Sequence, residues 1–165
     1  MKTEEQDMKI EEKKVLVVGT GISGIAAAKL LLEKKINTVL FDANKELDIE
    51  KFHEKAPELK DVPMILGELT EEQMHEFGVA VLSPGVPTDL PMVERLRAQN
   101  VAIWGEIELA YYFGKGRLIA ITGTNGKTTT TTLVGEIMKA YNDKTFVVGN
   151  IGIPYTSLSD QSSAD

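Results

Sequence analysis

Short apolar runs alternate along the chain with longer segments of mixed polarity. Residues 15–18, 38–41 and 79–82 are continuous runs of apolar or β-branched residues, typical of strands that are buried on both faces. Residues 22–34 are rich in Ala and Leu and contain neither Gly nor Pro after Gly24, so they predict a helix. A strand, a helix and a second strand in this order predict a right-handed βαβ unit with parallel strands.

The same alternation continues with shorter elements. Thr70 is followed three residues later by Gln73, which is the spacing of a capping box at the start of a helix. Strands that alternate with helices predict an α/β fold with a Rossmann-like parallel sheet. Further helices are predicted over residues 46–55, 89–99 and 106–113, and further strands over residues 63–66 and 101–103.

A second strand–helix–strand unit begins after the glycine-rich break at residues 114–116. Its strands are predicted over residues 118–121 and 145–148, with a helix over residues 127–140 between them. One such unit cannot cover both faces of a parallel sheet, so the second domain is predicted to be incomplete. The predicted organisation is a charged arm at 1–13, a Rossmann-like domain at 14–108 and the truncated start of a second domain at 109–165.

The turn before the predicted helix 127–140 has the character of a phosphate-binding loop. Backbone N–H groups of a turn with little side-chain bulk can point at phosphate oxygens, and a helix start adds its positive dipole end. Ile121 stands where the strict pattern has its first glycine, but the strand-to-helix context predicts a P-loop ATP-binding domain. The alternative is a plain turn capped by a threonine. The loop residues are Gly123, Thr124, Asn125, Gly126, Lys127, Thr128 and Thr129.

An earlier loop, residues 19–24, has the pattern G-x-G-x-x-G between a strand and a helix. Asp42 ends the next strand, at the spacing where a Rossmann-type acid meets a ribose hydroxyl. Ser83 and Gly85 follow the strand over residues 79–82, and ligands of open parallel sheets bind at the carboxyl ends of the strands. These residues are therefore predicted to gather at one edge of the sheet. Close-packed turns without a ligand are the alternative interpretation.

Composition and charge narrow the function classes. The 165 residues are 42% hydrophobic, enough for a buried core, and there is no cysteine for disulfides or thiolate metal sites. The net charge of −7 argues against nucleic-acid binding. The longest apolar runs fall far short of the ~20 residues of a membrane span, and the charged N-terminus does not resemble a secretion signal. We therefore expect a cytoplasmic protein without membrane insertion.

The loops and their order resemble the ATP-dependent Mur ligases and their folylpolyglutamate synthase relatives. The resemblance rests on residues 122–129 and 149–154, and it covers the chain from about residue 14 to 154. Residues 19–24 and 83–87 narrow it to the branch that adds D-glutamate to UDP-N-acetylmuramoyl-L-alanine in peptidoglycan synthesis. The branch that adds L-alanine to UDP-N-acetylmuramate is the rival, but its phosphate loop usually carries His at the position of Asn125 and its first loop has an extra glycine.

The resemblance implies a role for each matching residue. The first domain would hold the UDP-sugar, and the central domain would bind ATP and Mg²⁺. Lys127 would hold the γ-phosphate as the catalytic residue, and Thr128 would ligate Mg²⁺. Family members often have a basic residue where Asn44 stands, so the role of Asn44 is open. The implied UDP-substrate contacts are Gly21, Ile22 and Ser23 at the diphosphate, Asp42, Ala43 and Asn44 near the uridine, Ser83 and Gly85 beside them, and Asn150 from the central domain.

The implied reaction is the formation of an amide through an acyl phosphate. The family's central domain continues beyond the matched part and is followed by a C-terminal domain that brings the amino acid. The resemblance therefore implies a piece of a longer, monomeric enzyme, with weak UDP-ligand binding and no turnover of its own. Two rival classes remain: an NAD-dependent oxidoreductase that uses only residues 19–24, and a non-enzymatic nucleotide-sensing module. The oxidoreductase alternative leaves residues 123–129 unexplained.

Overall fold

The sheet of the protein is five-stranded and entirely parallel. A computed structural model describes residues 9–149 and 153–161 of the chain. The strand order is β3-β2-β1-β4-β5, in which β1 lies at the centre. This order confirms the predicted Rossmann-like sheet. The strands are β1 (Val15–Val18), β2 (Thr38–Asp42), β3 (Met64–Leu66), β4 (Val79–Leu82) and β5 (Ala102–Gly105).

Helices cover both faces of this sheet. Alternate residues of β1 point to opposite sides, so Val15 and Val17 join one core while Leu16 and Val18 join the other. Helices α1, α2 and α5 contribute to the first core, whereas α3 and α4 contribute to the second. The helices are α1 (Ile22–Glu33), α2 (Ile49–Lys55), α3 (Glu71–Met74), α4 (Pro91–Ala98), α5 (Glu106–Phe113) and α6 (Lys127–Tyr141).

Local capping sets several helix starts. The capping box at Thr70 is confirmed, because its side chain accepts from the N–H of Gln73 while the Gln73 side chain accepts from the N–H of Thr70. Helix α2 begins three residues later than predicted, since the Asp48 carboxylate accepts from the N–H of Lys51 and caps the helix there. Helix α4 likewise begins at Pro91, where a proline suits the first turn.

The prediction of two strands in the second unit is wrong. Residues 118–121 form no strand, and Leu118 and Ile119 are 44% and 56% exposed. Of the predicted strand over residues 145–148, only Val148 pairs, in a single bridge with Ile153. A strand is completed by hydrogen bonds to a neighbour, and within the described residues neither segment lies beside another strand. The predicted helix over residues 127–140 is confirmed as α6.

The segment after the bridge packs against the first unit, which is the part of the chain that forms the five-stranded sheet and helices α1 to α5. Residues 155–157 and 159–161 form short 3-10 helices, and Tyr155 packs close to Gly114 at the end of α5. The carboxylate of Glu106, which is only 4% exposed, accepts from both the N–H and the hydroxyl of Thr156, each at 2.7 Å. A buried carboxylate therefore connects the start of α5 to a residue 50 positions further along the chain.

Candidate functional site

A groove of about 420 Å³ lies at the carboxyl ends of the strands. Its apolar floor includes Phe41 and Leu69, and its polar groups are those of Asp42, Glu68 and Arg95. This is the edge where ligands of open parallel sheets bind. The lining residues are Val18, Gly19, Phe41, Asp42, Ala43, Gly67, Glu68, Leu69, Gly85, Val86, Pro87, Leu90, Met92 and Arg95.

The first glycine turn borders this groove and is closely packed. Gly19 has a φ of +97°, and its N–H donates to the carbonyl of Phe41 at 2.8 Å. A Cβ on Gly24 would lie 1.9 Å from the carbonyl oxygen of Gly19, so α1 approaches the turn more closely than any side chain would permit. Gly21 caps α1, and Ile22 is 80% exposed beside it. Gly21 and Ile22 are thus exposed at a helix start, where the first N–H groups have no acceptor within the helix.

Asp42 joins the ends of β1 and β2. One carboxylate oxygen, Oδ2, accepts from the hydroxyl of Thr20 at 2.5 Å and from its N–H at 3.1 Å. The other oxygen, Oδ1, accepts from the N–H of Asn44 at 3.0 Å. Burial raises the pKa of Asp42, but these three hydrogen bonds outweigh it and hold the pKa below its ordinary value. Asp42 is therefore a carboxylate at neutral pH.

Ser83 and Gly85 occupy different places. The Ser83 hydroxyl is buried without a hydrogen-bond partner, and it lies under the glycine turn, about 3 Å from where a Cβ on Gly19 or Gly24 would be. Gly85 lines the groove and has open space on its Cβ side. Ser83 therefore fills the space that the two glycines leave, while Gly85 leaves room for a ligand.

The phosphate loop has the conformation of an open cradle. Gly123 and Gly126 have φ values of +148° and +76°, which favour glycine. The N–H of Thr130 donates to the carbonyl of Gly126 at 2.9 Å and starts α6. Residues 122–130 are all exposed. Consecutive backbone N–H groups at the exposed start of a long helix such as α6 are suited to bind an anion.

Lys127 and Thr128 stand at the first positions of α6. The Lys127 ammonium donates to the carbonyls of Gly123 and Thr124, so it lies over the loop. Lys127 and the turn therefore fit a polyphosphate, and the exposed hydroxyl of Thr128 fits a cation bound to that phosphate. Within residues 9–149 and 153–161, no group of three or more His, Asp or Glu side chains could hold a metal.

The structure brings only part of the sequence-predicted set together. Asp42, Ala43 and Gly85 line the groove, whereas Gly21, Ile22, Ser23, Asn44 and Ser83 stand around it without lining it. The Asn44 side chain accepts from the N–H of Glu46 at 3.0 Å and shapes its own turn. Asn150 lies outside the described residues. The phosphate loop forms no part of this groove.

Several groove residues were not predicted from the sequence, among them Gly67, Glu68 and Arg95. Gly67 and Glu68 directly follow β3, so their position at a strand end was a usable signal. Arg95 lies on α4 between the buried residues Val93 and Leu96, and nothing in its sequence context marks it as a groove residue. Its neighbour Arg97 instead binds Glu94 and the carbonyl of Thr88.

The strand order, the glycine turn after β1 and the groove at the carboxyl ends of the strands together define a doubly wound α/β protein of the Rossmann type. A family model described as "Mur ligase MurD-like, N-terminal domain" matches residues 13–105, and one described as "Mur ligase middle domain" matches residues 121–164. The chain belongs to the Mur ligase family.

Two curated relatives with high sequence identity carry the same name. The UDP-N-acetylmuramoylalanine–D-glutamate ligase of Lachnoclostridium phytofermentans is 54% identical over 153 residues, which are 93% of this chain and 34% of that protein. The ligase of the same name from Lachnospira eligens is 50% identical over 158 residues, covering 96% of this chain and 35% of that protein. The chain thus spans about a third of the length of these relatives.

One solved structure with a similar chain trace is a pseudomurein peptide ligase type C from Methanothermus fervidus. It is 21% identical, with a TM-score of 0.49, and the match covers 79% of this chain and 27% of that one. No helix among residues 9–149 and 153–161 is both long and apolar enough to span a membrane.

Proposed function

We propose that this chain is the UDP-substrate unit and the start of the ATP unit of a cytoplasmic ligase that adds D-glutamate to UDP-N-acetylmuramoyl-L-alanine. The observation that carries the proposal is the presence of two separate nucleotide-type loops, residues 19–24 and 123–129, in one chain. The name and identity of the curated relatives over both loops support the choice of substrate. The groove at the first loop would take the nucleotide part of the substrate.

The chemistry would need both units. A substrate carboxylate oxygen would attack the γ-phosphorus of ATP, ADP would leave, and an acyl phosphate would form. The amine nitrogen of D-glutamate would then attack the carbonyl carbon, and inorganic phosphate would leave with the bonding electrons while the amine loses a proton. Lys127 would offset negative charge on the phosphoryl oxygens. Thr128 would hold Mg²⁺, which supplies further neutralisation of that charge.

A binding experiment tests the first unit. Isothermal titration of the chain with UDP-N-acetylmuramoyl-L-alanine, UDP-N-acetylmuramate and NAD should give the tightest binding for the first ligand. Equal binding of the two UDP-sugars would favour the L-alanine-adding branch of the family. Binding of NAD without either UDP-sugar would contradict the proposal and favour an oxidoreductase.

Lys127 provides the test of the second unit. In the gene product that contains residues 1–165, Lys127→Ala should lower ATP-dependent amide formation at least about a hundredfold, the size of effect expected when a charge-stabilising group is lost. The affinity for the UDP-sugar should stay within about twofold, since Lys127 lies outside the groove. Lys139→Ala, on the same helix and paired with Glu136, is the matched control. Full turnover in the Lys127 variant would show that Lys127 does not hold the phosphate.

A further inference from the structure

The two hydrogen-bond donors of Thr20 meet on a single oxygen of Asp42. Both the N–H and the hydroxyl of Thr20 donate to Oδ2, while Oδ1 accepts one bond from the N–H of Asn44. Thr20 belongs to the glycine turn after β1, and Asp42 ends β2, so the contact links residues 22 positions apart. Gly19, Asp42 and Ala43 all line the groove. The contact therefore fixes the glycine turn against the end of β2, and both border the groove.

The count of acceptor positions on Asp42 limits what it can do for a ligand. A carboxylate offers about four acceptor positions, two on each oxygen. Thr20 takes up both positions on Oδ2, and Asn44 takes one on Oδ1. A single position on Oδ1 is left.

We propose that Thr20 is a positioning residue, which occupies Oδ2 of Asp42 so that the carboxylate offers one acceptor to a ligand and the glycine turn is tied to the end of β2. The inference rests on the proposed function, because it concerns recognition of the nucleotide part of that substrate. It assigns to Thr20 the orientation in which Asp42 meets one N–H or O–H donor of that ligand.

The charged side chains near Asp42 are unchanged when Thr20 is replaced by an uncharged residue. Glu68 and Arg95 line the same groove, and Lys45 beside Asn44 pairs with Glu68 at 3.5 Å. The Thr20 hydroxyl donates to Asp42 directly, whereas in the described part of the chain Glu68, Arg95 and Lys45 form no hydrogen bond or ion pair with it. A variant of Thr20 therefore changes the hydrogen bonding of Asp42 without changing the charge of the groove.

The test compares Thr20→Val, which has the same shape without the hydroxyl, with Thr20→Ser, which keeps it. Isothermal titration with UDP gives the dissociation constant of each chain. Thr20→Val should weaken UDP binding about three- to tenfold, the effect of one hydrogen bond. Thr20→Ser should stay within about twofold of the wild type. Equal UDP affinities in all three chains would overturn the inference.

A titration of Asp42 gives a readout that does not need a ligand. Burial raises the pKa of Asp42 and the Thr20 hydroxyl lowers it, so Thr20→Val should raise that pKa. Carbon-13 NMR of the carboxyl should show this rise, and the loss of UDP binding on acidification should move to higher pH. An unchanged carboxyl pKa in Thr20→Val would contradict the inference.

Thr38→Val is the matched control, because the Thr38 hydroxyl donates to the carbonyl of Ile36 at 2.9 Å and lies outside the groove. It should lower stability without changing UDP affinity. Equal losses of UDP affinity in the Thr20 and Thr38 variants would overturn the inference as a general effect of stability. A wild-type chain that binds no UDP ligand would contradict the proposed function and the ligand part of the inference together, whereas unchanged Asp42 behaviour with intact UDP binding would contradict the inference alone.

Discussion

The glycines at the start of α1 differ in what they permit. Gly24 faces the carbonyl of Gly19, and a Cβ there would be 1.9 Å from the oxygen, while Gly21 has open space on its Cβ side. The G-x-G-x-x-G pattern therefore combines a packing requirement at Gly24 with an open position at Gly21. Two glycines of one motif therefore have different roles, and the pattern alone does not separate them.

Gly24→Ala should destabilise the chain strongly, because the alanine Cβ would clash with the backbone carbonyl oxygen of Gly19 and neither atom can rotate away. We expect a loss of about 2 kcal/mol or more in the free energy of unfolding, as for overpacking in a core. Urea unfolding followed by the fluorescence of Trp104, the single tryptophan, measures it. Gly21→Ala is the control and should change the free energy of unfolding by less than about 0.5 kcal/mol. Similar losses in both variants would contradict the distinction.

The location of a single residue could be predicted from the sequence where it depends only on the residue's place in a strand or a turn. Asp42 was predicted at the end of a strand beside the glycine turn, and it lies there. Its hydrogen bonds to Thr20 were not predictable, since they depend on the distance between two loops that are 22 residues apart in sequence. The same holds for Ser83, whose hydroxyl faces the glycine turn instead of the groove.

Two classes of helix are present at the scale of elements. Helix α4 buries Val93 and Leu96 against the sheet, and both are completely buried. Helix α6 exposes Leu133, Ile137 and Tyr141, which are 61%, 59% and 86% exposed. Burial of apolar area is the main stabilising term of a helix in a protein. Most of the free energy of unfolding should therefore come from the first unit.

Leu96→Ala should cost about 2–5 kcal/mol of the free energy of unfolding, the range for a large residue removed from a closed core. Leu133→Ala, on the exposed face of α6, should leave that free energy within about 0.5 kcal/mol. Urea denaturation monitored by Trp104 fluorescence compares the two variants under one condition. A large loss in the Leu133 variant would show that α6 contributes to the fold of the first unit.

Elements of the first unit were predictable because each satisfies a local rule. Apolar runs marked β1, β2 and β4, and the Thr70 capping box marked α3. The strands predicted at residues 118–121 and 145–148 have equally apolar patterns and do not form. The pattern identifies residues that can form strands, but the hydrogen bonds of a strand come from a neighbour.

At the scale of the whole molecule, a buried carboxylate ties the second unit's last described segment to the first unit. Glu106 begins α5, directly after the residues matched as the N-terminal domain, and Thr156 belongs to the residues matched as the middle domain. Thr156 and Ser159 are 3% and 1% exposed. Along the chain, Gly135 of α6 lies against Val147, which precedes the bridge between Val148 and Ile153.

Glu106→Ala should release this segment, because the N–H and hydroxyl of Thr156 would lose their acceptor in a buried place, at about 1–3 kcal/mol for each unsatisfied group. Hydrogen–deuterium exchange should then rise over residues 155–161 while residues 15–18 stay protected. Glu108→Ala is the control, since Glu108 accepts from the N–H of Gly105 at 2.7 Å and is exposed. Unchanged exchange over residues 155–161 in the Glu106 variant would contradict this role.

The sequence by itself determined the class of sheet, the positions of both phosphate-type loops and the acid at the end of β2, because runs of apolar residues, glycines and caps act over a few neighbouring positions. The tertiary structure decided which of these residues share a groove, that Arg95 and Glu68 join them, and that Thr20 occupies one oxygen of Asp42. It also decided that Glu106 holds Thr156. Each of these depends on distances between segments far apart in the chain, and such distances are set by packing across the sheet.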